Sequence, residues 1–317
     1  MNKLNSMKAA VGRYLDERRS LGFELIEQGK NLLRFARYAD ERNHCGPLTQ
    51  ELVLGWACEH VRRTSEVTAA GRLMKIRPFT SYYRQFQPDS YIPEPGVLGR
   101  ERRRPVPHIY TDQEIVELLE ATKRLEPRNG LRPFTYRTLF GLIAAAGLRL
   151  SEALNLTVSD VDLDAGTITI RETKFKKSRC LPLHPSTVDA LALYRQSREC
   201  YFHSGKSAAF FMADDGFCLS ASAVSHAFHQ LRTFMGWQSR GDHPIPRIHD
   251  LRHTFAVRRL QRWREEGQLI DQGVYWLCTY LGHGKISSTY WYLSGVPELM
   301  DLISARFESF VTTGELT

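Results

Sequence analysis

The chain has 317 residues, of which 42% are hydrophobic and 25% are charged, as is ordinary for a folded protein. Since single domains usually contain about 100–200 residues, two domains are expected. No segment approaches the roughly 20 apolar residues that a membrane span needs, which argues against a membrane-spanning protein. The formal net charge of +8 favours a polyanionic partner such as nucleic acid.

The cysteines indicate a reducing compartment. None of the six belongs to a Cys-x-x-Cys pair, and residues 1–6 lack the apolar segment of a secretory signal. We therefore expect reduced thiols in a cytoplasmic protein. Cys200 and His203 have the spacing of two metal ligands, but no second pair accompanies them, so no metal site is predicted.

The first part of the chain, residues 1–90, has the pattern of a small helical domain. Apolar residues recur at three- and four-residue steps over 5–85, which is typical of helices with one buried face. Thr49 precedes an apolar run as a helix N-cap would, and a further helix is predicted over 68–83. The pattern predicts a bundle of four or five helices.

A basic segment rich in proline and glycine follows, and we predict a linker over 91–107. Proline and glycine at this density favour a connection over a packed element. The arginines of the segment form either a solvated hinge or a contact with a phosphate backbone. These arginines are Arg100, Arg102, Arg103 and Arg104.

The second domain, residues 108–317, is predicted to be mainly helical with one small β-sheet. Thr111 and Glu114 have the spacing of a capping box, and a helix near 136–146 should stop at Gly147. The sheet is predicted from two short strands joined by a lysine-rich loop, at 167–171 and 179–183. Further helices are predicted near 185–198, 220–235, 249–265, 273–281 and 297–310.

Six polar residues of this domain fit the cleavage of a phosphodiester without metal. They are Arg149, Lys174, His249, Arg252, His283 and Tyr292. Planar guanidinium groups match the non-bridging oxygens of a phosphate with two parallel hydrogen bonds each. A tyrosine can form a covalent link to phosphorus, while a lysine and a histidine can transfer the protons. No cofactor is needed for this chemistry.

The motifs around these residues resemble those of the tyrosine recombinase (phage integrase, Xer/Cre-like) family. They are the segments 147–152, 249–253 and 281–283, and Tyr292 follows nine residues after His283 (292 − 283). The resemblance is specific over about 108–310, whereas the first 90 residues match loosely, as a helical core-binding (SAM-like) domain. It implies the DNA breaking-rejoining fold, mainly α with a small β-sheet, in which the two domains close as a C-shaped clamp around duplex DNA.

The resemblance implies roles for the residues of the first two motifs. Arg149 and Arg252 are expected to clamp the scissile phosphate. Glu152 is expected to support Arg149 from behind the site, which the three-residue spacing within one helical turn permits. His249 is implied as an active-site histidine, and we expect His253 to pack beneath Arg252.

The resemblance also implies the groups that exchange protons and form the covalent link. Lys174, at the end of the first strand of the hairpin, is expected to protonate the leaving 5′-oxygen, and Lys177 is the alternative. His283 is implied as the second active-site histidine. Tyr292 is the expected nucleophile on its spacing from His283, with Tyr290 as the rival.

The activity implied is site-specific recombination, in which a 3′-phosphotyrosyl link forms and a 5′-hydroxyl of a partner duplex then attacks it. A homo-tetramer on two DNA sites is expected, alone or with related recombinases, serving integration, excision or transposition of a mobile element. The length leaves no room for an additional arm-binding domain. The alternatives are a type IB topoisomerase-like nicking-closing enzyme and a non-catalytic DNA-binding regulator with the same fold.

Overall fold

The computed structural model describes residues 6–59, 66–99, 106–173, 177–202, 207–239, 245–287 and 289–290. The chain divides into two compact units, Met1–Arg104 and Pro105–Thr317. Both are dominated by helices, and the second adds one small sheet, so the predicted mainly helical fold class is confirmed. Of the helices in the described ranges, none has both the length and the apolar character that a bilayer crossing requires.

The described part of the first unit is a bundle of four helices. Their bounds are α1 Met7–Ser20, α2 Ile26–Glu41, α3 Gln50–Cys58 and α4 Glu66–Tyr83. Thr49 caps α3 as predicted, because its side chain accepts a hydrogen bond from the backbone N–H of Leu52 at 3.2 Å. The aromatic rings of Phe35, Trp56 and Phe79 meet in the core at centroid distances of 5.4 and 6.3 Å.

Residues 91–99, which belong to the predicted linker, lie against this bundle. The backbone N–H of Tyr91 donates to the carbonyl of Leu48 at 2.7 Å, and Nε of Arg77 donates to the carbonyl of Pro93 at 2.9 Å. Because these bonds tie the segment to α4 and to the residues before α3, its described part is ordered by the first unit. Residues 100–105 lie outside the described ranges.

The described ranges of the second unit contain seven α-helices. Their bounds are α5 Asp112–Ala121, α6 Arg132–Ala146, α7 Leu150–Leu154, α8 Pro185–Tyr201, α9 Ala221–Phe234, α10 Ile248–Glu265 and α11 Ile270–Leu281. The capping box of Thr111 and Glu114 is present as predicted. Helix α6 begins four residues before the predicted start, because Pro133 is well suited to the first turn of a helix. The predicted helix at 297–310 lies outside the described residues.

The sheet has three antiparallel strands in the order β1-β2-β3, namely Val161–Asp162, Thr167–Thr173 and Lys177–Pro182. Ile168 pairs with Leu181, and Ile170 pairs with Arg179. Since side chains alternate between the faces of a strand, Arg179 shares the face of Leu181, which is buried in the core. The register therefore directs a charged residue of β3 toward the interior of the domain.

Candidate active site

Arg149 is held at the start of α7 by the carboxylate of Glu152. Oε2 of Glu152 accepts the backbone N–H of Arg149 at 3.0 Å, and Oε1 accepts Nη1 of its guanidinium at 2.6 Å. Nη2 of Arg149 donates to the carbonyl of Gly282 at 3.1 Å. The arginine is thereby fixed to two parts of the fold, while 30% of its side chain stays exposed and able to meet a ligand.

Arg252, on α10, is the most deeply buried arginine of the site, with 1% of its side chain exposed. Nη1 donates to the carbonyl of Gly147 at 2.7 Å, and Nη2 donates to the carbonyl of Leu281 at 2.7 Å. These carbonyls stand at the carboxyl ends of α6 and α11, where unpaired C=O groups carry partial negative charge. Nη1 of Arg252 also lies 3.6 Å from Oε2 of Glu152.

Two glycines permit this close packing at the ends of α6 and α11. Gly147 has φ +62° and Gly282 has φ +64°, so both occupy the left-handed region that glycine adopts without strain. A Cβ at Gly147 would lie 2.3 Å from Cδ1 of Phe255. A Cβ at Gly282 would lie 2.7 Å from Nη1 of Arg179. Both positions therefore favour glycine for conformation, and at Gly147 the ring of Phe255 also leaves no space for a Cβ.

Arg179 is the site residue that the sequence analysis missed. Its Nη2 lies 2.9 Å from Oε2 of Glu152, and its Nη1 lies 3.2 Å from Oε1, so the two side chains form a bidentate pair. The Arg179 side chain is 13% exposed. The sequence of β3 could have predicted its inward position, because side chains two residues apart on a strand share one face, and Arg179 stands two residues before the apolar Leu181.

The histidines stand next to these arginines. Nδ1 of His283 lies 2.7 Å from Oγ1 of Thr289, and Nε2 lies 3.1 Å from Nη2 of Arg252. His249 lies in the first turn of α10, one turn before Arg252, and its ring meets that of the buried His253 edge-on at 4.5 Å. The contact of His283 with Arg252 and the position of His249 one turn before Arg252 place both predicted histidines near this arginine.

The surroundings of the site shift three pKa values downward. Burial, followed by the charge of Arg252, lowers the pKa of His283 to about 3. Desolvation and the charge of Arg252 also lower the pKa of His249, which keeps more contact with solvent. Burial alone would raise the pKa of Glu152, but hydrogen bonds from Arg179 and Arg149 lower it overall. At neutral pH, His283 is therefore uncharged and Glu152 is ionised.

Two of the predicted catalytic residues, Lys174 and Tyr292, lie outside the described residues. Lys177, the alternative lysine, begins β3. Tyr290, the rival nucleophile, is 42% exposed, and its backbone N–H donates to the carbonyl of Ile286 at 3.0 Å. Of the predicted set, the described ranges thus bring together the arginines, the histidines and Glu152.

The charges of this cluster make it a site for an anion. Three guanidinium groups, those of Arg149, Arg179 and Arg252, surround the single carboxylate of Glu152. Since His283 is neutral, the cluster keeps an excess of positive charge that a phosphodiester would compensate. Donors that are fixed before a ligand arrives are the arrangement that stabilises charge developing during phosphoryl transfer.

Known proteins resemble this chain in sequence and in fold. Residues 109–296 match the model of the phage integrase family. The putative integrase/recombinase y4rB of Sinorhizobium fredii (strain NBRC 101917 / NGR234) is 38% identical over 309 residues, which cover 96% of this chain and 98% of the relative.

Two structures of DNA complexes superpose on the chain. The Tn1549 transposon integrase with transposon right end DNA does so with a TM-score of 0.68 and 15% identity, covering 98% of this chain and 100% of that chain. The XerH site-specific recombinase bound to palindromic difH substrate does so with a TM-score of 0.64 and 18% identity, covering 94% and 84%. At these identities the superpositions show a shared fold, whereas the family follows from the sequence matches. The chain belongs to the phage integrase family, the tyrosine recombinases.

Proposed function

We propose that this tyrosine recombinase cleaves and rejoins duplex DNA at a specific site through a 3′-phosphotyrosyl link on Tyr292. The observation that carries the proposal is the cluster in which Arg149 and Arg252 approach the ionised Glu152 and His283 contacts Arg252. Its excess of positive charge suits one phosphodiester, and the family supplies the tyrosine that attacks it. No step of this chemistry requires a metal or ATP, because the arginines stabilise the phosphate and the bond energy is conserved in the link.

The two arginines would bind the non-bridging oxygens of the scissile phosphate. Arg252 is held by the carbonyls of Gly147 and Leu281 before any substrate arrives, and Arg149 is held by Glu152. Such preorganised donors lose little energy to rearrangement as charge develops in the transition state. The exposed part of Arg149 would provide the first contact with the DNA backbone.

The protons follow a balanced path in this mechanism. The hydroxyl oxygen of Tyr292 forms a bond to phosphorus, and the bond from phosphorus to the 5′-oxygen breaks. A neutral imidazole takes the tyrosine proton. We assign this role to His249, because Nε2 of His283 already accepts a hydrogen bond from Arg252. Lys174, or Lys177 as the alternative, protonates the departing 5′-oxygen. The 5′-hydroxyl of a partner duplex then attacks the phosphotyrosyl link and releases Tyr292.

The biological setting that we propose is the movement of a mobile element in the cytoplasm. The Tn1549 integrase, whose structure holds transposon right end DNA, supports transposition or integration. All six cysteines, each in the described part of the chain, are free thiols, which supports a reducing compartment. A homo-tetramer on two DNA sites, alone or with related recombinases, would exchange the strands.

The two domains would have different roles. We propose that residues 1–90 bind the DNA core site as a helical domain and that 108–317 carry the catalysis. The arginines within 91–107 would contact the phosphate backbone. Binding by such contacts should weaken steeply as salt is added, because counterions are released from the DNA when the protein binds.

The proposal is tested by trapping the covalent link. The purified protein is incubated with fragments of the source genome, and the fragments that it binds are sequenced. Duplexes with a nick near each candidate cleavage position are then built from these sequences. Denaturing electrophoresis and peptide mass spectrometry then locate the adduct. We expect it on Tyr292, in the presence of EDTA, with Tyr292→Phe forming none and Tyr290→Phe serving as the matched control.

Other outcomes separate the alternatives. An adduct that persists in Tyr292→Phe at the wild-type yield would move the nucleophile to Tyr290. Products that join two duplexes indicate recombination, whereas multi-turnover relaxation of supercoiled DNA without joined products indicates a topoisomerase-like enzyme. Retained DNA without any adduct, on all nicked duplexes, would contradict the catalytic proposal and favour a regulator.

A further inference from the structure

We infer that Arg179 is a positioning residue of the active site, which sets the orientation of Glu152 and, through it, of the phosphate-binding arginines. This inference rests on the proposed function. Arg179 lies on β3, outside the three motifs that carry the family resemblance. Its influence would fall on the rate of DNA cleavage and would leave the affinity for DNA nearly unchanged.

The first argument is the geometry of the carboxylate. Both oxygens of Glu152 accept side-chain hydrogen bonds from Arg179, at 2.9 and 3.2 Å. Arg149 reaches Oε1 alone with its side chain, and Arg252 approaches Oε2 alone, at 3.6 Å. A carboxylate held at both oxygens by a planar fork cannot turn about its last bond. Arg179 therefore fixes the plane of the carboxylate, and with it the directions in which the two oxygens meet Arg149 and Arg252.

The second argument is burial. The side chain of Glu152 is 6% exposed and that of Arg179 is 13% exposed, so solvent screens their interaction weakly. A charged group in such a place is costly unless a partner compensates it. The Arg179 hydrogen bond is the leading cause that lowers the pKa of Glu152. The pair thus maintains an ionised carboxylate between the two arginines.

The third argument is the position of Arg179 between the hairpin and the turn that precedes His283. Arg179 is two residues after Lys177, in the hairpin expected to carry the lysine that protonates the leaving oxygen. The same guanidinium packs against Gly282, where a Cβ would lie 2.7 Å from Nη1. His283 is the next residue in the chain. The side chain of Arg179 consequently contacts both the carboxylate of Glu152 and the turn at Gly282. Because Arg179 belongs to β3, it links these two parts of the site to the hairpin.

A second arginine of the same hairpin provides a matched control. Arg171, on β2, pairs with Asp160, whose side chain is 4% exposed. This pair also joins an arginine of the sheet to a buried carboxylate, but neither partner contacts Arg149, Arg252 or His283 in the described contacts. The Arg171 side chain is 62% exposed, so thermal melting is compared with the cleavage rate for each variant. A positioning role should slow cleavage in Arg179→Ala alone.

The experiment measures the single-turnover rate of adduct formation on the nicked duplexes at saturating protein. We expect Arg179→Ala to slow this rate by roughly tenfold to a hundredfold, because small displacements of catalytic groups have effects of up to about 10². The Kd for an intact duplex should change by less than about threefold, since phosphate contacts elsewhere dominate affinity. Arg171→Ala should keep the wild-type rate.

Two further variants test how Arg179 acts. Arg179→Lys keeps the charge but lacks the planar fork, so its rate should stay well below that of the wild type. In a Glu152→Gln background, Arg179→Ala should slow the reaction further by less than about threefold, because partners in one network are not additive. A wild-type rate in Arg179→Lys, or losses that multiply in the double variant, would overturn the inference.

Thermal melting by circular dichroism shows whether each variant is folded. If Arg179→Ala fails to fold, Arg179→Lys carries the test, since it retains a cation opposite Glu152. If the wild-type protein forms no adduct on any of the nicked duplexes, the proposed function itself is contradicted. A wild-type adduct, together with unchanged rates in both Arg179 variants, would overturn the inference alone.

Discussion

Nη2 of Arg252 lies 3.1 Å from Nε2 of His283, and this contact determines the tautomer of the imidazole. A guanidinium has donors but no acceptor, so Nε2 must accept the hydrogen bond. The proton of the neutral ring then lies on Nδ1, which donates to Oγ1 of Thr289 at 2.7 Å. Protonation of Nε2 would break the bond to Arg252 and bring two cations together, which is why the histidine resists it.

We expect His283 of the free protein to remain neutral at mildly acidic pH, because its pKa is lowered to about 3 by burial and by Arg252. Nuclear magnetic resonance of histidine-labelled protein should show a His283 signal that is flat between pH 5 and 8. The same signal in urea, where the site is unfolded, should titrate near the ordinary value of about 6.5. A midpoint near 6.5 in the folded protein would contradict the contact with Arg252.

The same shift predicts how stability depends on pH. The folded-state pKa of His283 is below its unfolded value of 6.5, so the unfolded chain binds the proton more readily. His283 therefore contributes stability that is fully present above about pH 6.5 and is lost as the pH falls toward about 3. Urea denaturation at a series of pH values should show less loss in His283→Gln than in the wild type, and equal loss would count against this linkage.

Glu152→Gln should lower both stability and the rate of cleavage. The substitution leaves Arg179 and Arg252 buried without their carboxylate, and breaking a buried pair typically costs about 3–5 kcal/mol. Urea denaturation and single-turnover cleavage measure the two effects. Glu120→Gln is the control, because Glu120 also has two cationic partners, Lys123 and Arg137, but lies at the surface. If both variants behave alike, burial of the Glu152 cluster is not the cause.

Gly147→Ala should destabilise the second unit more than Gly267→Ala does. Both glycines have positive φ, +62° and +75°, so alanine strains the backbone by about 1–2 kcal/mol at either position. At Gly147 the new Cβ would also overlap the ring of Phe255, whereas nothing lies within 4 Å of a Cβ at Gly267. Thermal melting compares the two variants, and equal losses would show that Phe255 moves away at no cost.

Arg252→Lys should nearly abolish cleavage although it preserves the charge. A lysine lacks the planar array of donors with which Arg252 holds the carbonyls of Gly147 and Leu281 and can still donate to a phosphate. We expect the single-turnover rate to fall by about 10²–10³, the typical effect of removing one preorganised donor. The control is Arg258→Lys on the same helix, whose arginine pairs with Asp112, and its rate should be close to that of the wild type.

Much of the fold was predictable because local signals agreed with the tertiary structure. The caps at Thr49 and Thr111 and the helix end at Gly147 were identified from single residues and their spacing, and all three are confirmed. Each depends on hydrogen bonds within a few residues along the chain. Such bonds are determined by the local sequence, whatever the rest of the domain does.

Elements and contacts that depend on distant partners were harder to predict. Strand β1 has two residues and helix α7 has five, which are too short for a periodic pattern, and neighbouring elements stabilise them. Arg179 was missed because its partner, Glu152, lies 27 residues earlier in the chain. Its position on the buried face of β3 becomes evident once the register with β2 is known.

Two main-chain carbonyls hold the most buried arginine of the site, in addition to its side-chain contacts with His283 and Glu152. Arg252 takes its anchors from Gly147 and Leu281, and the carbonyl at position 281 is present whichever apolar residue stands there. Substitutions that alter DNA preference elsewhere on the surface can therefore accumulate without displacing this guanidinium. Evolution, or directed selection in the laboratory, can retarget the enzyme to new sequences while its reaction centre is inherited unchanged.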